Sequence, residues 1–143
     1  MKRVSVFCCF LLMLALLPLP LTAQAKKLKV FISVDMEGIG GVVSRQQTGT
    51  QGFEYQRFRE LMTAEVNAAI EAALEAGATE IVVADAHGNA QNILIDKLNP
   101  AARLVRSWPR PLMMMQGIDA TFDAAIFIGY HGAEGTADAV LAH

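Results

Sequence analysis

An apolar run that ends in two closely spaced acids constrains this chain more than any other feature. Val30-Phe31-Ile32-Ser33-Val34 carries no charge and leads straight into Asp35-Met36-Glu37-Gly38. Extended from Leu28 to Val34, the run suits a strand buried on both faces, as in a parallel sheet. Residues i and i+2 of a strand point the same way. If strand geometry persists to Glu37, Asp35 and Glu37 lie on one side, at the carboxyl end of the strand. Two like charges that close repel, and a cation is the usual means of holding them together.

The rest of the chain alternates strand and helix signals, which argues for an α/β fold with a mostly parallel sheet and flanking helices. Gly38, Gly40 and Gly41 open a polar stretch to about Gly52, read as a long loop without regular structure. Over Glu54 to Ala76, Phe58, Leu61, Met62, Glu65, Ala69, Ile70, Ala73 and Leu74 recur at helical spacing, and Gly77 stops the helix. Ile81 to Ala84 is a second strand, a short helix is expected over Asn92 to Leu98, and Arg103 to Val105 is a third strand. A short helix over Leu112 to Gln116 and a strand over Ala124 to Ile128 follow. Val140-Leu141-Ala142 resembles the start of a further strand, and we expect the chain to be the front part of a longer protein, its sheet truncated at the C-terminal end.

Residues 1–25 read as an export signal. Lys2 and Arg3 precede the apolar run Val4 to Leu17, Pro18 and Pro20 break it, and Ala23-Gln24-Ala25 is an A-x-A cleavage pattern. The run is shorter than the ~20 residues of a spanning helix. The expected domains are therefore a signal peptide over 1–25 and a domain portion over 26–143, in an exported protein, periplasmic or secreted, with no membrane attachment after cleavage. Both cysteines, Cys8 and Cys9, lie in the signal, so no disulfide or thiolate ligand is expected in the remainder. Loss of Lys2 and Arg3 takes the basic count from 12 to 10 against 14 acids, changing the net charge from −2 to −4. With no basic stripe, nucleic acid is excluded as a partner.

Three strands end in metal-ligand residue types: Asp35 and Glu37, then Asp85-Ala86-His87-Gly88, then Gly129-Tyr130-His131-Gly132. Ligands in open α/β sheets bind at the carboxyl ends of the strands. Taken singly, an Asp-x-Glu is more often a solvated loop start, and a lone histidine a loop residue. Together they favour a metal site of carboxylates and imidazoles, a set that suits zinc, manganese, iron or cobalt. The flanking glycines are read as letting backbone come close to a ligand. Asp85 could orient an imidazole or cap the following turn. Asn89 and Asn92 suit turn and cap roles better than substrate contact. Met113-Met114-Met115 reads as core or interface filler, and Arg103, Arg106 and Arg110 as a solvated face.

Ser33-Val34-Asp35-Met36-Glu37-Gly38, Asp85-Ala86-His87 and Gly129-Tyr130-His131 together resemble the D-aminopeptidase family of zinc peptidases, the DppA type of peptidase family M55. The resemblance implies two zinc ions (Zn2+) per subunit and hydrolysis of short peptides with N-terminal D-amino acids, of the D-Ala-D-Ala type. It also implies a homo-oligomer, a decamer in the family. By position, Asp35 would bridge the two zincs, Glu37 and His87 would complete the first site, and His131 would serve the second. His143 would correspond to a catalytic nucleophile or base. The family's remaining glutamate ligand has no counterpart before His143, and Glu134 does not match it. A metal-dependent hydrolase of another bond, and a non-catalytic binding or assembly module, stand as alternatives. The lack of a phosphate-cradling glycine loop counts against a phosphoesterase.

Overall fold

The computed structural model describes residues 27–143. The proposed signal segment lies outside the described residues. Strands β1 (Leu28–Val34), β2 (Ala78–Asp85), β3 (Ala102–Val105) and β4 (Ala124–Ile128) form one sheet of order β3-β2-β1-β4, with every pair parallel. Helix α1 (Arg45–Thr48) is a single turn and α2 (Tyr55–Glu75) a long helix. Among the described residues, no helix is long and apolar enough to cross a membrane.

The central position of β1 explains its sequence. From Phe31 to Val34 every residue is wholly buried. Val30, Ile32 and Val34 face α2 and pack with Met62, Val66 and Ile70. Phe31 faces the other way and packs with Val82, Ala84 and the partly buried Met115, Ile118 and Phe122. Ser33 and Asp35 follow Phe31 on that second face by strand alternation. One edge of the sheet is left thinly covered: Phe127 of β4 is exposed.

Helix α2 has no proline or glycine inside it and ends at Gly77, whose φ of +94° is the left-handed conformation that stops helices. Its buried face runs through Tyr55, Phe58, Met62, Val66, Ile70 and Ala73. That is a slight rotation from the expected face: Leu74 is exposed, and Glu65 leaves the core to accept a hydrogen bond from the Gly40 amide at 2.9 Å.

Three local expectations are corrected. The stretch after Gly41 contains α1, because Ser44 and Gln47 form a reciprocal capping box that nucleates one turn. Asn92 to Leu98 is not a sustained helix but a single turn, closed by Leu98 N–H to the Leu94 carbonyl at 3.0 Å. The amides of Asn92 and Ile93 are drawn to Asp85 and that of Leu94 to Thr63. Asn67 grips its far end, donating to the Lys97 carbonyl and accepting from the Asn99 amide, both at 2.8 Å. Val140 and Leu141 form a turn, with Leu141 at φ +52°, which extended pairing does not permit. The Leu112 to Gln116 segment is a 3-10 turn over Met113–Met115.

Candidate metal centre

Neighbouring parallel strands put their carboxyl ends on one rim, and β1 lies between β2 and β4. The residues that follow these three strands therefore meet. Backbone bonds lock the meeting: the Asp35 amide donates to the Ile128 carbonyl at 2.9 Å, the Gly38 amide to the Gly129 carbonyl at 2.7 Å, and the Ala86 amide to the Val34 carbonyl at 2.8 Å. The approach is close enough to require glycine. A Cβ on Gly129 would sit 2.2 Å from the Asp35 carbonyl oxygen, and one on Gly38 would sit 2.5 Å from that of Tyr130. At these two positions glycine serves backbone meeting backbone, rather than backbone meeting ligand.

β1 ends at Val34, so strand geometry does not reach Glu37. Both acids still face one side, because Met36 is wholly buried in the helix-side core and turns the chain between them. Asp35 and Glu37 are themselves buried. Their counterion is His87. Its Nδ1 donates to Asp35 Oδ1 at 3.1 Å and to Glu37 Oε2 at 2.9 Å, while its Nε2 donates to the Thr48 carbonyl at 2.9 Å. On the other flank, His131 Nε2 lies 3.5 Å from Asp35 Oδ2, and its Nδ1 donates to the Gly132 carbonyl at 2.7 Å. Asp35 thus offers one oxygen to each of two imidazoles. The ligand atoms of Asp35, Glu37 and His131 lie within 4.8 Å of one another.

His143 stacks on His131, ring centroids 3.8 Å apart at 17°, with Nδ1 bonded to the Leu141 carbonyl at 2.8 Å. It is exposed, as is Glu134. All five residues singled out in the sequence, Asp35, Glu37, His87, His131 and His143, gather in one cluster.

The electrostatics follow from this packing. Burial pushes the His87 imidazole towards its neutral form, but Asp35, Glu37 and the Thr48 carbonyl outweigh burial and raise it to about 10. Burial likewise pushes the Asp35 carboxyl up, and hydrogen bonds, that of His87 first, hold it below the usual carboxylate range. In the metal-free chain the imidazolium supplies the positive charge that two adjacent carboxylates need. The raised histidine contributes stability that is full below its unfolded pKa of 6.5 and lost as pH rises through about 10. The lowered aspartate contributes stability that is full above 3.8 and lost as pH falls. Thermal unfolding of metal-free protein should therefore show its highest midpoint between about pH 4 and 6.5 and a decline from neutral pH to pH 10. A midpoint flat over the alkaline limb would count against the charged bridge.

The structure also places the side chains around the cluster, some in roles the sequence offered and some not. Thr48 enters the site through its carbonyl, carried by α1. Tyr130 OH donates to Ser33 Oγ at 2.6 Å and Ser33 donates to the Met114 carbonyl at 3.0 Å, tethering the residue beside His131. Asp85 caps the following turn, accepting from the Asn92 and Ile93 amides, and does not touch an imidazole. Asn89 takes a turn role, accepting from the Gln91 amide. Arg110 is not on a solvated face. It is buried, stacks over Trp108 at 4.0 Å and donates from Nη2 to the Asp85 carbonyl at 2.6 Å. Arg103 pairs with Glu80 on the surface.

Comparison with known proteins bears on family and fold. A protein-family model described as D-aminopeptidase, of the M55 peptidases, matches residues 28–143. A D-aminopeptidase of Bacillus subtilis (strain 168) is 38% identical over 116 residues, covering 81% of this chain and 42% of the relative. The solved structure of the Zn-dependent D-aminopeptidase DppA from Bacillus subtilis, described as a self-compartmentalizing protease, superimposes with a TM-score of 0.79. That comparison has 38% identity and again covers 81% of this chain and 42% of the other. The chain thus spans well under half the length of the relatives it matches. On a family match running from the first strand to the last residue, and on that identity, the chain belongs to the M55 family of D-aminopeptidases.

Proposed function

We propose that this chain carries the zinc-binding part of an exported aminopeptidase that removes D-amino acids from the N-termini of short peptides. The observation that bears most weight is the placement of Asp35, with its two carboxylate oxygens facing His87 and His131. Two carboxylates and two imidazoles are a donor set that fits zinc. Asp35 would be shared between two metal positions. Glu37 and His87 would hold the first, His87 through Nδ1, because Thr48 already engages Nε2. His131 would hold the second through Nε2, since Nδ1 is held by the Gly132 carbonyl. A second nitrogen fixed by a backbone carbonyl is the usual way a ligating imidazole is oriented. When bound, zinc supplies Lewis acidity towards a peptide carbonyl and acidifies a water towards a pKa of ~7.

The protein's own share of the chemistry is orientation and proton handling. His143 keeps its Nε2 available, because Nδ1 is bonded to Leu141, and it acts as the base or nucleophile beside His131. To hold a metal, His87 would give up the Nδ1 proton it carries in the metal-free chain, so zinc uptake near pH 7 would release protons. Export is supported by the n-region, apolar run and A-x-A pattern of residues 1–25. Homo-oligomeric assembly is supported by the relative's self-compartmentalizing character and by the exposed Phe127, Leu112 and Met113.

The test is hydrolysis of D-Ala-D-Ala by the purified full-length protein. D-alanine release is expected with zinc, abolished by chelation and restored on adding zinc back. Absence of release from zinc-loaded protein would overturn the reading. A zinc content of zero would favour the non-catalytic module.

A further inference from the structure

We propose that Asn92 is a positioning residue for His87, acting through a buried clamp that also contains Asp85 and Tyr55. The clamp rests on the reading that His87 is a metal ligand. Asn92 uses each of its polar groups. Its side-chain Nδ2 donates to Asp85 Oδ1 at 2.8 Å and to the His87 carbonyl at 2.6 Å. Its Oδ1 accepts from Tyr55 OH at 2.6 Å, its amide donates to Asp85 Oδ2 at 2.6 Å, and its carbonyl accepts from Arg59 Nε at 2.7 Å. Arg110 holds the Asp85 carbonyl at 2.6 Å. The main chain is therefore gripped on both sides of Ala86, at Asp85 and at His87, while the Thr48 carbonyl holds the imidazole ring at Nε2.

This arrangement is a costly way to end a strand. Asp85 is 0% exposed and Asn92 1% exposed, and a carboxylate without solvent must recover its hydration from donors. Three such donors come from Asn92 and Ile93. The next turn along the chain is held far more simply: Asn67 of α2 grips the far end of the 94–98 turn with two bonds. What the costlier device adds is a fixed position for the His87 carbonyl, two bonds from the Cα that carries the imidazole. Such rigid support sets how well a ligand's geometry suits its metal.

Asn92→Ala, Tyr55→Phe and the control Asn67→Ala test this in the full chain. Zinc affinity is read by competition with a chelator, and the His87 ring nitrogens by 15N NMR of metal-free protein. Asn92→Ala is expected to weaken one of two zinc equivalents by about 10- to 100-fold and to shift the His87 ring signals. Tyr55→Phe should act in the same direction to a smaller extent, and it decides the matter if Asn92→Ala does not fold. Asn67→Ala should lower the thermal midpoint and leave zinc affinity and ring signals unchanged. If the clamp variants lose only thermal stability, as the control does, the positioning role is overturned. If wild-type protein binds no zinc, the proposed function fails instead, and the ring signals still decide the clamp.

Discussion

Replacing Asp35 by alanine is expected to remove zinc from both positions, whereas replacing His131 should remove it from one. The asymmetry follows from the oxygens of Asp35, which lie 3.1 Å from His87 Nδ1 and 3.5 Å from His131 Nε2. Among the described residues, no other side chain pairs with both imidazoles within ion-pair distance. Affinity at each position should fall by more than about 100-fold, beyond the range seen when only a supporting partner of a ligand is lost. Alanine also removes the acceptor of the Met36 amide, a bond of 2.9 Å, so a loss of metal could in principle reflect a loosened strand end. Asp35→Asn separates the two effects. Its side-chain oxygen can still accept from Met36, but it has neither the charge nor the two equivalent oxygens needed to bridge. Zinc content measured after dialysis should fall in both variants, while the thermal midpoint of metal-free protein should fall less in Asp35→Asn. Full zinc content in either variant would rule out bridging.

The sequence disclosed the clustered carboxylates and imidazoles more fully than it disclosed what holds them. Asp35, Glu37, His87 and His131 stood out together because each lies within three residues of the end of an apolar run. A parallel sheet must bring such strand ends to one rim. The strands β1 and β4 were legible to the residue for the same reason. The supports were not, because each depends on a contact distant in sequence. Thr48 meets His87 through a carbonyl that every residue possesses, and Asn92 meets Tyr55 across 37 positions. The capping box Ser44-x-x-Gln47 was the one local signal of α1, and a loop reading passed over it. Arg110 misled for a related reason. Arginine is mostly exposed, and only the aromatic face of Trp108 and the Asp85 carbonyl give this one a buried place. The Asn92 to Leu98 helix failed where side-chain acceptors from β2 and α2 captured the amides at its start.

The glycines at the rim make a second large effect predictable. Gly129→Ala should destabilise the chain by roughly 4 kcal/mol or more, in the range reserved for changes the fold cannot absorb. Two penalties combine. Gly129 has a φ of +66°, where an L-residue costs about 1–2 kcal/mol. Its new Cβ would also lie 2.2 Å from the Asp35 carbonyl oxygen and 2.8 Å from Ile39 Cδ1. The isoleucine tip can rotate away, but the carbonyl is that of Asp35, backbone fixed at the strand end. Relief would require β1 and β4 to part there, breaking the 2.7 Å bond from the Gly38 amide to the Gly129 carbonyl and carrying His131 away from Asp35. Gly77→Ala isolates the backbone penalty. Its φ is +94°, and nothing lies within 4 Å of a Cβ built there, so about 1 kcal/mol is expected. Urea unfolding of both variants in metal-free form measures the difference, which is the cost of the clash. Equal destabilisation of the two would mean that the strand ends do not meet as closely as the site requires. A Gly129→Ala protein that folds should also bind zinc at His131 more weakly than wild type, whereas Gly77→Ala should bind it unchanged.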